Sequence, residues 1–251
     1  MDIYKYHSCE NSFLILEHLE DVDYFYISQK LCNEYEVDGL LVLKKHPFEM
    51  LVFNKDGSEA KMCGNGIRCL MHYLYDKQYI TNDVNIKTKA GIFNSEIIST
   101  TPFVSTVDLG NGKYINETIN QEINISGKIF HISLFELGVL HAVVLADDFT
   151  LDEKWAVELF NYSLLKEKAN INLIKPLTSN IFEIITYEKG VGFTKACGTG
   201  VAASGYVLRD LYNLDDNLIA ICPGGLLKVD IRDKVYLTGE SIFVNSYGVC
   251  L

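Results

Sequence analysis

Positive charge is scarce in this sequence. Among its 251 residues, 22 are Lys or Arg and 33 are Asp or Glu, so the formal net charge is −11. The few cations are scattered and form no basic stripe. Since the field of such a chain repels polyanions, we expect neither nucleic acid nor a membrane surface as a partner. The charge balance favours an enzyme that acts on a small molecule.

Long apolar runs are also missing, although 48% of the residues are hydrophobic. No segment approaches the roughly 18 consecutive apolar residues that a membrane-spanning helix needs. The first residues, MDIYKYHSCENSF, lack the basic start, apolar middle and small-residue cleavage site of a secretory signal. We therefore expect a cytoplasmic protein.

Cysteine pairs with a recognisable spacing are absent. The number of cysteines, seven, is odd, and neither a CxxC pair nor a His/Cys cluster with zinc spacing occurs. In a long chain with no sign of export, we expect no disulfide framework. The same spacing predicts no metal site, and most of the thiols should be small buried hydrophobic residues.

Short apolar segments bounded by Gly, Pro and Asn dominate the chain and predict a strand-rich α+β fold. Apolar residues recur with helical spacing at 24–35, 67–75 and 151–160, and again after residue 200. The stretch 110–121 is polar and rich in Gly and Asn, as a boundary between lobes would be. The expected lobes are an N-terminal one, 1–114 plus 241–251, and a C-terminal one, 115–240.

The most informative pattern is an internal near-repeat. Residues 61–67, KMCGNGI, reappear as residues 195–201, KACGTGV, with Lys, Cys and both glycines unchanged. The offset, 195 minus 61, is 134 residues, and a helical pattern follows each copy. A repeat at about half the chain length indicates a duplicated lobe.

Helix N-termini explain why these residue types would recur together. Unpaired backbone N–H groups and the helix dipole at such an end favour a thiolate and can hold a carboxylate. If two such ends hold one carboxylate, Cys63 and Cys197 stand on opposite faces of the adjacent carbon. One thiolate then removes a proton from one face while the other thiol delivers a proton to the other face. The repeat therefore predicts inversion at an α-carbon.

Four blocks of the chain resemble the diaminopimelate epimerase family. They are FNKDGSEAKMCGNGIRC (53–69), TKAGIF (88–93), YEKGVGFTKACGTG (187–200) and PGGLL (223–227). The resemblance covers almost the whole chain and implies an enzyme without pyridoxal, metal or other cofactor. It also implies two pseudo-symmetric lobes, each a barrel-like sheet around a central helix, with the site in the cleft between them.

The resemblance implies a role for individual residues. Cys63 and Cys197 match the two catalytic thiols, and His141 matches a histidine beside them. Backbone N–H groups that bind the α-carboxylate are expected at Gly64, Asn65, Gly198 and Thr199. Side chains that contact the substrate are expected at Asn11, Asn54, Asn170 and Glu188.

Three departures from the family pattern concern substrate recognition. Where the family reads HGxGNDF, this chain reads HSCENSF, with Glu10 in place of a glycine and Ser12 in place of an aspartate. Where it reads GNPH, this chain reads GVLH, with Val139 in place of a substrate-contacting asparagine. Where it reads ERG, this chain reads EKG, so Lys189 replaces the arginine that binds the distal carboxylate. Lysine keeps the charge of arginine but loses its bidentate fork.

The identity of the substrate therefore stays open. Conversion of L,L-diaminopimelate to the meso form, for lysine and cell-wall synthesis, is favoured by Asn54, Asn170 and the cation at Lys189. A racemase of the same family for another amino acid, such as histidine, is favoured by Val139, Lys189 and Glu10. A thiol redox or sensor protein with a reversible disulfide is a further alternative, and an inactive binding module is disfavoured because both thiols remain. The expected partner is a small amino-acid substrate and, by analogy with the family, a second copy of the chain.

Overall fold

Short buried strands form most of the chain, as the alternating apolar segments predict. The structure is a computed structural model and describes residues 1–115, 118–145, 153–162 and 169–250. Contacts divide the chain into two units, the first formed by Met1–Asp108 with Thr238–Leu251 and the second by Leu109–Leu237. None of the helices in the described ranges is long and apolar enough to cross a bilayer.

The first unit holds eight strands and two helices in its N-terminal segment, and a last strand returns to it from the C-terminal end. The strands are β1 (Asp2–Ser8), β2 (Asn11–Glu17), β3 (Gly39–Lys44), β4 (Glu49–Asn54), β5 (Glu59–Ala60), β6 (Val84–Thr88), β7 (Gly91–Thr100), β8 (Phe103–Asp108) and β19 (Ile242–Gly248). The helices are α1 (Tyr24–Glu34) and α2 (Gly64–Asp76).

The second unit repeats this alternation of strands and helices. Its strands are β9 (Lys113–Tyr114), β10 (Gln121–Ile125), β11 (Lys128–Leu137), β12 (Val139–Leu145), β13 (Asn170–Pro176), β14 (Ile181–Glu188), β15 (Gly192–Thr194), β16 (Asn217–Cys222) and β17 (Gly225–Ile231). The helices are α3 (Glu153–Phe160) and α4 (Gly198–Tyr212). Strand β18 (Val235–Glu240) carries the chain back to the first unit.

The two units have the same pattern of parallel and antiparallel strand pairs. In the first, the sheet order β19-β1-β2-β3-β4-β6-β7-β8 contains parallel pairs only at β2–β3 and β4–β6. In the second, the order β10-β11-β12-β13-β14-β16-β17 has its parallel pairs at the matching places, β12–β13 and β14–β16. The predicted strand-rich fold of two duplicated lobes is confirmed.

Side chains alternate between the two faces of each sheet, so each unit has a core on both faces. In the first unit Leu14, Leu40 and Val42 share a buried cluster with Leu31 of α1. In the second unit Ile171 and Leu173 belong to a cluster that includes Leu159 of α3. The opposite faces are covered by α2 and α4, which are buried on almost every side of their first turns. These two central helices carry the candidate site residues.

Candidate active site

Cys63 is the N-cap of the central helix α2 of the first unit. Its backbone is extended, and its carbonyl accepts the first helical hydrogen bond, from the Ile67 N–H at 2.9 Å. The Cys63 Sγ accepts a hydrogen bond from the Gly66 N–H at 3.4 Å. A thiol that caps a helix lies in the positive potential of the helix dipole, which favours its thiolate form.

Cys197 is the N-cap of the central helix α4 of the second unit. Its backbone is also extended, and its carbonyl accepts from the Val201 N–H at 2.9 Å. The side chain is buried, with Sγ 3.6 Å from Thr199 Oγ1. The two cysteines thus occupy the same position of equivalent helices, as the repeat predicts.

The local repeat extends beyond the cysteine loops into the neighbouring hairpins. The Ala90 N–H donates to the Lys61 carbonyl at 3.1 Å, and the Gly224 N–H donates to the Lys195 carbonyl at 2.9 Å. Both contacts join residues with the offset of 134, since 195 minus 61 and 224 minus 90 give the same number. Each cysteine loop is therefore held by the β-hairpin that follows its helix.

Glu188 lies at the end of β14, close to Cys197. Its Oε1 accepts a hydrogen bond from Thr194 Oγ1 at 2.8 Å, and the Cys197 thiol is a second donor to the carboxylate. Burial raises the pKa of Glu188, and these two hydrogen bonds oppose the rise. A carboxylate whose proton affinity is raised in this way is suited to accept the proton of the neighbouring thiol.

The strand pairing of the second unit brings two further candidates, Asn170 and His141, to the side of Glu188. His141 on β12 lies in parallel register with Asn170 on β13. Asn170 Oδ1 accepts a hydrogen bond from the Lys189 N–H at 3.0 Å, which attaches the turn after β14 to β13. The Lys189 side chain and Val139, at the start of β12, are exposed, Val139 by 46%.

In the first unit, Asn11 and Asn54 lie at strand ends. Asn11 begins β2 after a two-residue turn, and its buried Oδ1 has no hydrogen-bond partner among the described residues. The exposed Glu10 lies in that turn with φ +56°, a left-handed conformation that favours glycine. Asn54 ends β4, and its amide donates to Ser58 Oγ at 2.9 Å.

Sequence reasoning missed the role of Arg68, which is fully buried in α2. Its guanidinium donates to Ser8 Oγ at 3.0 and 3.1 Å, to the Gly64 carbonyl at 3.3 Å and to Asn65 Oδ1. Arg68 therefore ties the β1–β2 hairpin to the first turn of α2, next to Cys63. A charged residue inside an otherwise apolar helical pattern was the available signal.

Comparison with known proteins identifies the family. Residues 3–115 and 134–244 match the family described as Diaminopimelate epimerase. The chain belongs to the diaminopimelate epimerase family. Proteins named diaminopimelate epimerase from Caldanaerobacter subterraneus and Clostridium perfringens are 31% and 32% identical to it, over 261 and 271 residues. These alignments cover 94% and 97% of both chains, respectively. The chain is therefore an isomerase of the epimerase and racemase class, as predicted.

Solved structures of other members of this fold agree with the architecture. A hydroxyproline epimerase from Agrobacterium vitis has a TM-score of 0.74 at 13% identity, over 99% of this chain and 90% of that one. A phenazine biosynthesis protein of the PhzF family from Bacillus anthracis also has a TM-score of 0.74, at 15% identity, over 100% and 99% of the two chains. At this identity the likeness shows the fold alone. The roles of individual site residues stay predictions.

Proposed function

We propose that this member of the diaminopimelate epimerase family is a cofactor-independent amino-acid epimerase or racemase that uses Cys63 and Cys197 as its two acid–base groups. The observation that carries the proposal is the repeated placement of one thiol at the N-cap of the central helix in each duplicated unit. Packing needs a capping residue at such a position, but Ser, Thr, Asp and Asn are the usual ones. Cysteines at both N-caps therefore favour a catalytic role over a purely structural one.

The proposed reaction inverts the α-carbon in two proton transfers. One thiolate takes the α-proton, so that the C–H bond breaks and its electron pair spreads into the carboxylate. The other thiol protonates the carbon from the opposite face and becomes the thiolate. The negative charge on the carboxylate oxygens is stabilised by backbone N–H groups of the helix N-termini, at Gly64 and Asn65 and at Gly198 and Thr199. The two cysteines exchange roles in the reverse direction.

The neighbours of each thiol support its proposed role. The Gly66 N–H donates to the Cys63 Sγ, and a donor to sulfur stabilises thiolate more than thiol. Cys197 instead donates to Glu188, whose pKa is raised by burial. Proton transfer from Cys197 to Glu188 would leave a thiolate without a change of net charge. The two units thus favour the thiolate forms of Cys63 and Cys197 by different means.

Diaminopimelate is the proposed substrate, converted from the L,L to the meso form. The names of the relatives from Caldanaerobacter subterraneus and Clostridium perfringens support it. Asn54, Asn170 and the cation of Lys189 also support it, because a second amino-acid head needs polar and cationic partners.

Another amino acid is the second candidate, and the exposed Val139 favours it. An apolar side chain that is 46% exposed at the start of β12 offers no hydrogen bond where the family resemblance expects an asparagine. The side chain of Lys189 is exposed, while its backbone N–H binds Asn170. A substrate without a distal carboxylate, such as histidine, would suit this pair better than diaminopimelate.

A panel assay separates these candidates. Each amino acid, diaminopimelate and histidine included, is incubated with the enzyme, and the stereoisomers are separated by chiral chromatography. Cys63→Ser and Cys197→Ser should each lower racemisation by about 10²-fold or more, since positioned acid–base groups contribute about 10²–10⁴-fold. Cys250→Ser removes an exposed thiol and is the matched control. Inversion that survives both single substitutions would overturn the two-thiol proposal, and inactivity on every amino acid would favour a thiol redox protein.

A further inference from the structure

The side-chain amide of Asn172 is the centre of a buried polar cluster in the second unit. Asn172 lies on β13 with no exposed surface, and its Nδ2 is 3.2 Å from Nδ1 of His141. Its Oδ1 accepts a hydrogen bond from Thr186 Oγ1 at 3.0 Å. The cluster touches helix α4, whose N-cap is Cys197, because a Cβ on Gly200 would lie 2.2 Å from Asn172 Oδ1.

Two main-chain carbonyls determine which way the amide of Asn172 points. The carbonyl oxygens of Ala142 and Asn170 lie 3.5 and 3.4 Å from Nδ2. An amide turned by half a rotation would place its own oxygen against both carbonyl oxygens, which repel it. The NH2 group must therefore lie on the side of these carbonyls, which is also the side of His141.

This orientation determines the tautomer of His141. Since Asn172 presents a donor to Nδ1, that ring nitrogen must offer a lone pair, and the proton of the neutral imidazole is on Nε2. Burial lowers the pKa of His141 to about 3, so the ring is neutral at neutral pH. The Nε2 atom is buried and has no hydrogen-bond partner among the described residues. A buried N–H donor of this kind requires a partner, and the part of the chain that the structure describes supplies none.

The first unit shows that packing alone does not require these polar residues. There, Leu41 holds the place of Asn172, since a Cβ on the equivalent Gly66 would lie 3.1 Å from Leu41 Cδ2. Leu41 pairs with Val52 across the strands, as Asn172 pairs with Thr186. The same fold therefore has apolar side chains at these positions in the first unit and hydrogen-bonded polar side chains in the second.

We propose that Asn172 is a positioning residue that holds His141 as a neutral Nε2–H donor to the negative charge formed in the reaction, and not as a base. The tautomer follows from the cluster alone, whereas the catalytic part rests on the proposed function. Thr186 fixes the oxygen of the Asn172 amide, and Asn172 in turn fixes the ring. His141 cannot take a proton at Nε2 because that nitrogen already carries one.

Nuclear magnetic resonance of the histidine ring nitrogens tests the tautomer directly. The chain has six histidines, and His141→Phe assigns the signal of interest. We expect wild-type His141 to show the Nε2–H pattern and to stay neutral between about pH 5 and pH 8, where an unperturbed histidine titrates. An Nδ1–H tautomer or an imidazolium would overturn the proposal. This result does not depend on finding the substrate, so its failure is distinguishable from failure of the proposed function.

Substitutions at Asn172 separate positioning from a merely structural role. Asn172→Asp keeps the shape but presents only acceptors, so the His141 proton should move to Nδ1 and kcat should fall by about 10²-fold, the usual cost of one lost donor. Asn172→Leu copies Leu41 and serves as the second variant if the aspartate variant does not fold. A folded variant that keeps both the Nε2–H tautomer and wild-type kcat would contradict the proposal.

Substitutions at His141 distinguish a donor from a base. The amide N–H of His141→Gln can replace the Nε2–H donor but cannot serve as a base near neutral pH. We expect this variant to retain kcat within about 10-fold of wild type and His141→Phe to lose about 10²-fold. Equal losses in the two variants would indicate that the ring acts as a base and would overturn the proposal.

Discussion

Gly200→Ala should disturb the site from inside the central helix α4. Gly200 has no side chain, and Asn172 Oδ1 occupies the space where its Cβ would be, at 2.2 Å. Real Cβ atoms do not approach an oxygen so closely, so the Asn172 amide must move. The equivalent Gly66→Ala in α2 is the matched control, because its Cβ meets the flexible end of Leu41 at 3.1 Å.

Each substitution has two effects on the free energy of unfolding, a steric one that lowers it and a helix-propensity one that raises it. Movement of Asn172 breaks the hydrogen bond from Thr186, and each buried polar group left unpaired costs about 1–3 kcal/mol. Alanine has the better helix propensity by about 1 kcal/mol. We expect Gly200→Ala to lower the free energy of unfolding by about 2–3 kcal/mol. For Gly66→Ala the helix gain roughly cancels the close contact, and the change should stay within about 1 kcal/mol.

Urea unfolding followed by circular dichroism measures both variants. Asn172→Ala removes the clashing oxygen, so adding Gly200→Ala to it should cost about 2 kcal/mol less than in wild type. The Gly200 variant should also lose the ordered Nε2–H signal of His141, whereas the Gly66 variant should retain it. Equal stability of the two glycine variants, with the His141 signal unchanged, would refute the reasoning.

Three further experiments follow from the same structure. The unfolded ring of His141 protonates near its ordinary pKa of about 6.5, whereas the folded ring protonates only near about 3. As the pH is lowered between these two values, the free energy of unfolding therefore decreases by about 1.4 kcal/mol per pH unit. In urea, His141→Phe should therefore lose about 2 kcal/mol less than wild type between pH 7 and pH 5. Glu188→Gln should raise Tm at alkaline pH. The pKa of Glu188 is higher in the folded than in the unfolded protein, so ionisation of this carboxyl destabilises the fold as the pH rises. In acid, where the carboxyl is protonated in both states, the gain in Tm should vanish. The same variant should lower kcat. The pair Val139→Asn and Lys189→Arg should raise kcat/KM for diaminopimelate relative to histidine by about 10-fold or more.

Matched variants control these three experiments. His131→Phe replaces a half-buried histidine outside the polar cluster, Glu183→Gln lies on the same strand as Glu188, and Val191→Asn changes an exposed valine. An acid sensitivity that is the same with and without the His141 ring would contradict its buried, neutral state. A Tm that falls in the Glu188 variant at alkaline pH would show that the carboxylate stabilises the fold. An unchanged substrate preference would show that Val139 and Lys189 do not determine which substrate is recognised.

Most elements could be predicted because one face of each strand or helix is buried. The period of two in Val84–Thr88 and the helical period in Tyr24–Glu34 reflect that burial directly. Strand β10 is harder to predict, because Gln121 and the other exposed residues of this segment resemble a loop, and only Ile123 and Ile125 are buried. Helix α2 begins at Gly64, earlier than its apolar pattern, because a glycine-rich first turn carries no hydrophobic period.

The residues of the candidate site also fall into two groups, those that the sequence reveals and those that it does not. Cys63 and Cys197 could be found because the duplicated motif occurs at two places in the sequence. The link between His141, Asn172 and Thr186 could not be found, since it depends on the register of β12 with β13 and of β13 with β14. Register depends on the packing of whole sheets, so one sequence does not determine which side chains meet across strands.

Exchange of the substrate α-proton with deuterated solvent tests the central claim, the two-thiol inversion, most directly. In D2O, one stereoisomer of the best substrate is offered to the enzyme, and proton resonance follows the α-hydrogen of substrate and product during the first turnovers. Two opposed thiols predict that the product carries deuterium from the first turnover while the unreacted substrate keeps its proton, and that Cys63→Ser and Cys197→Ser both abolish inversion. Product that retains the original α-proton, or inversion that persists with either cysteine replaced, would contradict the account.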